Sequence, residues 1–317
     1  MMSPLPRSPH HPAGRQRGVA LITALVVVVI CSMIASDMLW STFLDQRRTE
    51  SVLMGSQARE YARGAEDWVA HLLRMQREET EYDHPSQQWA EEITALPLDE
   101  HGQLSGRLED QQGLFNLNNL VDETGQIHQP SFRQFERLLI SLELNPDIAA
   151  AVTDWIDPDQ EPTMPGGAED SHYLGLDPPY RTADQPIQSL SELRMIEGLQ
   201  EDQVDVLRPY VTALPTMEET HININTAPPL VIASMSDNLT PMEAQTMAGA
   251  ERQQGYSDVQ EFLNIAPNID VAVDVHTNFF KLQGEITVGG TSVSMYSLLA
   301  RDESGATMTL RRTYGTR

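Results

Sequence analysis

The sequence contains one cysteine and one lysine among its 317 residues. The single cysteine, Cys31, excludes an intramolecular disulfide and a zinc site built on several thiolates. Only 21 lysine and arginine residues stand against 46 aspartate and glutamate residues, so the formal net charge is −25. Such an acidic surface repels phosphate backbones, so we predict no binding to nucleic acid, whereas hard cations and basic partners are favoured.

The chain nevertheless has the composition of a folded protein. Apolar residues make up 40% of it and charged residues 21%, which excludes wholesale disorder. The length corresponds to about two ordinary domains.

An apolar run lies close to the N-terminus. No charged residue separates Arg17 from Asp37, and the 19 residues between them span about 28 Å as a helix, close to the hydrocarbon thickness of a bilayer. Arg7, Arg15 and Arg17 precede the run, so the positive-inside rule predicts a cytoplasmic N-terminus with the bulk of the chain across the membrane. A cleaved secretory signal peptide is the alternative, for which Ala35 offers a weak cleavage position.

Gly18 stands directly between the basic leader and the apolar run. This arrangement resembles the signal of type IV prepilins, which prepilin peptidase cleaves after the glycine on the cytoplasmic side. The resemblance implies a leader over residues 1–18, a mature chain that begins with a methylated Val19, and a transmembrane helix over residues 19–36. Thr23 then stands at mature position five, where most pilin-like proteins carry glutamate.

The apolar residues keep helical spacing beyond the membrane segment. This periodicity predicts an amphipathic continuation of the same helix over residues 37–80, ending near Arg77. The alternative is a membrane anchor followed by an unrelated helix.

Helix-start signals dominate the middle of the chain, so this region is predicted to be mainly α-helical. The turn around Gly198 also resembles a helix-hairpin-helix motif, but its acidic surroundings favour two packed helices over a DNA-binding element. The start signals are Ser131 with Gln134, Asp147, Ser189 with Glu192, Thr240 with Glu243, and Ser257 with Gln260.

Six carboxylates fall within the 17 residues from Asp154 to Asp170. Asp157, Asp159 and Glu161 alternate, so an extended backbone projects them to one side. The intervening prolines and glycines allow Glu169 and Asp170 to fold back towards them. Oxygen ligands on an irregular loop suit calcium, and a solvated acidic loop is the alternative.

The segment from His221 to Pro228 contains two asparagines, Asn223 and Asn225, on one side of a short extended run. Their amides are predicted to satisfy backbone groups at a turn, and Thr226 is predicted to cap a following helix. After this region, alternating apolar residues and glycine breaks predict a three-stranded antiparallel meander at the C-terminus.

In their order along the chain, these features resemble the minor pseudopilin K family of the type II secretion system, also called general secretion pathway protein K. The segments that carry the resemblance are the leader with Gly18, DWIDPD, GAED, NINTA, SLLARD and the closing RR..YG. The family implies an α+β fold: a pilin-like long N-terminal helix plus a small antiparallel sheet, with a large α-helical domain inserted. The implied pilin-like parts are residues 81–125 and 273–317, and the implied insertion is residues 126–272.

The resemblance also implies function. It places the chain in the bacterial inner membrane as a single-pass protein with its bulk in the periplasm. It implies a non-enzymatic subunit at the tip of the pseudopilus, which nucleates assembly for the export of folded proteins. Its implied partners are minor pseudopilins I, J and H and prepilin peptidase. The implied structural calcium ligands are Asp154, Asp157, Asp159, Glu161, Glu169 and Asp170.

Thr23 agrees with this family, whose members lack the glutamate at mature position five. In pilin filaments that glutamate pairs with the N-terminus of a neighbouring subunit, and an unpaired carboxylate in an apolar bundle costs several kcal/mol. A subunit with no neighbour ahead of it therefore suits a neutral residue.

The alternative function is a membrane-anchored envelope hydrolase that uses the acidic cluster. No G-x-S-x-G or H-E-x-x-H motif supports it, and an aromatic content of 6% gives no sign of a sugar-binding groove.

Overall fold

The computed structural model describes residues 16–99, 102–216, 218–249 and 254–315. The chain divides into two units, the first ending at Gln57 and the second beginning at Ala58. The predicted leader over residues 1–15 lies outside the described residues, whereas Gly18 and Val19 belong to the first helix, α1 (Gln16–Glu79).

The first unit contains the apolar part of α1, which is long and apolar enough to cross a membrane. Its large apolar side chains from Val19 to Ile34 are exposed, as expected of a helix surface that faces lipid. The Thr23 hydroxyl donates hydrogen bonds to the carbonyl oxygens of Val19 (3.1 Å) and Ala20 (3.0 Å), so its polar group is satisfied within the helix. The predicted continuation is confirmed, and α1 ends two residues beyond Arg77.

The second unit contains an antiparallel sheet of five strands in the order β1-β2-β7-β8-β9. The predicted C-terminal meander is confirmed as β7, β8 and β9, and two earlier strands extend it. The strands are β1 (Ile93–Pro97), β2 (Gly102–Asp110), β3 (Phe115–Asn116), β4 (Val211–Thr212), β5 (Ile222–Asn223), β6 (Val273–Asp274), β7 (Phe279–Val288), β8 (Thr291–Arg301) and β9 (Thr307–Gly315).

Strict alternation of burial along β7 gives the sheet two different faces. Leu282 and Ile286 point inwards, and Leu282 lines a small cavity together with Val69 and Leu72 of α1. Lys281 and Gln283 point to the opposite face. The sheet therefore packs one face on α1, and polar side chains cover part of the other face.

A long segment leaves the sheet after Asp110 and returns at Phe279, although β2 and β7 are neighbours with continuous antiparallel register. The predicted insertion, residues 126–272, lies within this interval. The parallel pairs β3–β4 and β5–β6 tie parts of the segment together. Its helices are α2 (Gln129–Ser141), α3 (Ile148–Ile156), α4 (Asp170–Tyr173), α5 (Glu201–Leu207), α6 (Pro229–Ala233), α7 (Pro241–Met247) and α8 (Val259–Leu263).

Two of the predicted helix starts are wrong by one or more residues. Helix α2 begins at Gln129 with a proline in its first turn, and the Ser131 hydroxyl instead bonds the His128 ring at 2.9 Å. Helix α8 is capped by Asp258, whose carboxylate accepts from the Gln260 amide at 2.8 Å. Helix α2 therefore begins without a side-chain cap, whereas at α8 the Asp258 carboxylate takes the capping role predicted for Ser257.

Two other predictions for this segment need correction. The glycine at position 255 predicts the end of the helix that Thr240 opens. Helix α7 instead ends at Met247, and Gly249, two residues later, packs directly against the backbone of Asn225. Thr226 is not a helix cap: its hydroxyl donates to the Asp110 carboxylate at 2.5 Å, and α6 begins after Pro228. The capping boxes at Ser189 and Thr240 are confirmed, although the first opens the 3₁₀ helix Leu190–Met195.

The two asparagines of the NINTA segment act as predicted, by satisfying backbone groups. The Asn225 amide donates to the Tyr256 carbonyl at 2.9 Å and accepts from the Tyr256 N–H at 2.7 Å. The Asn223 side chain accepts from the Asn225 N–H at 3.0 Å and donates to the Asp83 carbonyl at 3.3 Å, and it also donates to the Asp110 carboxylate at 2.8 Å. Both asparagines are completely buried, so these bonds replace contacts with water.

A charged pair joins α1 to the edge strand β9. The Arg312 Nε lies 3.0 and 2.9 Å from the two carboxylate oxygens of Glu66, which is buried. We expect Arg312→Met to lower the free energy of unfolding by about 1.5–3 kcal/mol, because Glu66 keeps its charge but loses its donors. Thermal unfolding followed by circular dichroism measures this change.

The matched control for this pair is Arg63→Met, which removes an exposed arginine paired with Glu60 on the surface of α1. It is expected to change the stability by less than about 1 kcal/mol. Equal losses in the two variants would show that the Glu66 pair adds nothing to stability.

Candidate metal centre

The candidate site begins in a helix that is buried along its whole length. Every residue of α3 is buried, and its alanines allow close approach of the surrounding chain. Asp154 lies in the last turn and Asp157 directly follows the helix. The loop then returns to Glu169, the residue before α4. Trp155 stacks edge-on with Tyr173 at 5.5 Å, which packs α3 against α4.

The structure brings three of the six predicted carboxylates together. Oxygen atoms of Asp154, Asp157 and Glu169 lie within 4.8 Å of one another. The three residues are 0%, 4% and 1% exposed. Three negative charges so close together and so well shielded from water repel one another strongly.

Several oxygens of this cluster lack a hydrogen-bond partner among the described residues. Both carboxylate oxygens of Glu169 and one oxygen of Asp157 are buried without a donor. Buried polar atoms are normally satisfied, and unsatisfied acceptors that converge on one point are suited to a positively charged ligand.

A close-fitting loop holds Asp154 in place. The Thr163 amide lies 3.1 Å from each of its carboxylate oxygens, and the Gly167 amide donates to the Thr163 carbonyl at 2.8 Å. The backbone of Gly167 passes so close to Asp154 that a side chain on it would overlap a carboxylate oxygen. The glycine of the GAED motif is therefore required by packing.

Burial raises the pKa values of all three carboxyls, and repulsion from neighbouring carboxylates adds to the rise. The pKa of Glu169 rises to about 8, mainly because burial disfavours its charged form and secondly because Asp154 and Asp157 are negative. The pKa of Asp157 rises to about 6 for the same reasons, with Asp159 as its main neighbouring charge. Burial also raises the pKa of Asp154.

The other three predicted ligands lie outside this cluster. Asp159 and Glu161 are exposed, and the Asp159 carboxylate accepts from the Glu161 amide at 2.8 Å within a local turn. Asp170 accepts from Arg181 at 2.5 Å and from the Thr182 amide at 3.1 Å. Its oxygens therefore already have partners.

Sequence reasoning missed Asp184, whose negative charge raises the pKa values of Asp157 and Glu169. It has a left-handed backbone, with φ of 47°. It lies 15 residues beyond Glu169, and no spacing rule connects an isolated loop aspartate with a cluster at that distance.

The donor set of the cluster consists of carboxylate oxygens, which hard cations such as calcium prefer. The nearby His172 pairs with Glu197 at 3.0 Å and stands outside the cluster. A bound divalent cation would offset most of the negative charge of three ionised carboxylates and would fasten the loop to the end of α3. The residues present therefore fit such an ion.

We expect Gly167→Ala to destroy the cluster, because its Cβ would displace the Asp154 carboxylate. Calorimetric titration with calcium is expected to show a binding heat for the parent protein and none for this variant. The control is Gly64→Ala, whose Cβ meets no atom within 4 Å; it should keep calcium binding and stabilise α1 by up to about 1 kcal/mol. Unchanged calcium binding by Gly167→Ala would place the ion elsewhere.

Comparison with known proteins gives a consistent family match. Family models described as "Type II secretion system (T2SS), protein K" match residues 113–216 and 222–276. The type II secretion system protein K of Pseudomonas aeruginosa is 32% identical over 315 residues, which cover 95% of this chain and 93% of that protein. The protein of the same name from Aeromonas hydrophila is 31% identical over 325 residues, covering 95% and 98%.

A solved structure is similar over most of the fold. It is the crystal structure of the GspK-GspI-GspJ complex from the type 2 secretion system of enterotoxigenic Escherichia coli, matched with a TM-score of 0.74 and 28% identity. The match covers 85% of this chain and 100% of the chain in that structure.

Proposed function

Because this chain belongs to the type II secretion system protein K family, and is thus a minor pseudopilin, we propose that it forms the tip of the pseudopilus. There it nucleates assembly of the filament that exports folded proteins across the outer membrane. The observation that carries this proposal is the long insertion between the neighbouring strands β2 and β7. Such a bulky head would clash with a subunit stacked above it, and only the first subunit of a filament has none.

The apolar helix supports the same position. Thr23 is neutral, and its hydroxyl is satisfied by the carbonyls of Val19 and Ala20 in its own helix. It therefore needs no charged partner from a subunit ahead. A glutamate at this place would need one, because an unpaired carboxylate is costly in an apolar environment.

The partners follow from the family and its solved relative. We propose contacts with minor pseudopilins I and J, since the similar chain forms a complex with GspI and GspJ. Contact with minor pseudopilin H, processing by prepilin peptidase between Gly18 and Val19, and a single-pass inner-membrane anchor with a periplasmic bulk complete the proposal.

We propose that the protein is not an enzyme. The carboxylates of the central cluster are at most 4% exposed, so a polymeric substrate has no access to them. This burial counts against the hydrolase alternative. It suits calcium held by Asp154, Asp157 and Glu169, where the ion would supply positive charge and fix the loop.

Replacing Thr23 tests the tip position. A strain that lacks the natural gene would carry the parent protein, Thr23→Glu or the neutral control Thr23→Val. Immunogold labelling of sheared pseudopili should find the parent and Thr23→Val at one filament end, and Thr23→Glu should lose this restriction and lower secretion. Identical labelling and secretion for all three proteins would refute the role of Thr23.

A separate measurement tests the processing site. The mass of the mature N-terminal peptide should correspond to a chain starting at methylated Val19, and only in cells that contain prepilin peptidase. A chain that starts near Ser36 would indicate ordinary secretion and overturn the proposal.

A further inference from the structure

A cleft of about 720 Å³ lies between the outer face of the sheet and the inserted segment. One wall consists of residues from β2, β7, β8 and β9, among them Lys281, Tyr296 and Arg311. The opposite wall consists of insertion residues such as Leu190 and Arg208. The volume lies in the range of ligand-binding pockets.

The cleft concentrates positive charge in a strongly acidic protein. Arg208, Arg311 and Lys281, the single lysine of the chain, all line it, although the formal net charge is −25. The carboxylates that also line it are Glu109 and Asp110. Positive charge gathered at one cleft of such a molecule attracts an anionic partner to that cleft and away from the rest of the surface.

Neither of these carboxylates cancels the positive charge of the cleft. Asp110 faces the interior, where its carboxylate accepts from Thr226 at 2.5 Å and from Asn223 at 2.8 Å. Glu109 is shared between two cations, since it lies 2.8 Å from Arg107 and 3.8 Å from Lys281. Arg208 lies 3.4 Å from Asp205. The surplus positive charge therefore comes from Arg311 and from the two cations that share Glu109.

Arg311 adds a positive charge, and no carboxylate of the described residues lies within 4.0 Å of its guanidinium. It projects from β9 and donates to the carbonyl of Gln188 in the inserted segment, so it reaches from one wall to the other. Its side chain is exposed, and its remaining N–H groups can meet an incoming carboxylate.

The shape of the cleft sets the length of its ligand. Its sheet wall crosses β2, β7, β8 and β9, which are separated by three inter-strand spacings of about 4.8 Å each. This distance of about 14 Å corresponds to four or five residues of extended chain at about 3.3 Å per residue. Apolar side chains such as Leu190 and Leu298 lie among the cations, so the cleft suits alternating acidic and apolar residues.

We propose that this cleft binds an extended acidic peptide segment of a partner protein, with carboxylates contacting Arg311, Lys281 and Arg208. The insertion would then do more than enlarge the protein, because it supplies one wall of a binding site for which the sheet supplies the other. This inference does not depend on the tip position proposed above.

Fluorescence anisotropy with the purified full chain in an uncharged detergent tests the proposal. The probe is a labelled, amidated peptide of sequence Glu-Val-Glu-Val-Glu, and its uncharged counterpart is Gln-Val-Gln-Val-Gln. Arg311→Gln and Lys281→Gln should each weaken binding of the acidic peptide about tenfold, the order expected when a charge-assisted hydrogen bond is lost. Lys281→Arg and the distant Arg63→Gln should bind like the parent, and circular dichroism checks that every variant is folded.

Carbodiimide coupling locates the bound peptide, because Lys281 is the sole lysine of the chain. Mass spectrometry should find an amide between a peptide glutamate and Lys281. The proposal is overturned if the glutamine peptide binds as tightly as the acidic one, or if both variants bind the acidic peptide as tightly as the parent does. Coupling only at the N-terminal amine would also overturn it. It is also overturned if the acidic peptide does not bind, whereas vesicles rich in phosphatidylglycerol bind to the parent and bind more weakly to Arg311→Gln and Lys281→Gln.

Discussion

Replacing Glu169 by glutamine is expected to stabilise the calcium-free protein and to abolish its response to calcium. In the parent, Glu169 is 1% exposed and its two carboxylate oxygens have no donor among the described residues. Glutamine has nearly the same shape but no charge, and its amide can donate to Asp154 or Asp157. The repulsion that involves Glu169 disappears, and the site loses one of the three carboxylates proposed to hold the ion.

The pH dependence of the calcium-free protein follows from the same group. Folding raises the pKa of Glu169 to about 8 from an unfolded value of about 4.3. Between these values the folded state holds more protons than the unfolded state, so stability falls as the pH rises through this interval. Calcium requires ionised ligands, so its stabilising effect should grow over the same interval and be largest above pH 8.

Thermal unfolding with chelator and with millimolar calcium measures this effect. At a calcium concentration of 100 times Kd, the parent should gain about 2.7 kcal/mol, which corresponds to a Tm increase of about 4–5 °C for a protein of this length. Glu161→Gln is the matched control, because Glu161 is exposed in the same loop and outside the cluster. A Glu169→Gln protein that still responds to calcium, or that is less stable than the parent in chelator, would contradict the assignment.

Removing the Arg301 side chain is expected to cost about 3–5 kcal/mol of unfolding free energy. Arg301 is 3% exposed and pairs with Asp83, which is 2% exposed. It also donates to the carbonyl of Thr277 at 2.6 Å, and its guanidinium lies 5.0 Å from the ring centroid of Phe280. Arg301→Met would leave Asp83 charged and buried without its cation.

A double variant separates this charge effect from a simple loss of packing. Asp83→Asn combined with Arg301→Met removes both charges, so it should be more stable than Arg301→Met alone. Arg194→Met, which removes an exposed arginine 3.1 Å from Glu201, should change the stability by less than about 1 kcal/mol. Urea unfolding measures all three. A double variant that is no more stable than Arg301→Met would show that the buried charge is not the cause.

The sequence by itself determined the elements whose signals are local. The uncharged run from Gly18 to Ser36 identifies the apolar helix, because its composition and length suffice. Alternation of apolar residues identifies β7 to β9, since the side chains of a strand point to opposite faces in turn. The concentration of carboxylates from Asp154 to Asp170 identifies the region of the candidate metal centre.

Only the tertiary structure decided which of these carboxylates converge. Alternation predicts that Asp157, Asp159 and Glu161 point the same way, but only Asp157 is buried by the end of α3. Glu169 joins it because the loop folds back around Gly167, and Asp184 influences both from another loop. Burial depends on the whole surrounding chain, and no local pattern records it.

The same reason applies to the long-range contacts of the sheet. Asp83 and Arg301 are 218 positions apart, and β2 meets β7 across the whole insertion. In the sequence, neither Asp83 nor Arg301 differs from a charged residue at the protein surface. Their pairing is favourable only after α1, the sheet and the inserted segment have excluded water from the space between them, and this exclusion is a property of the assembled fold.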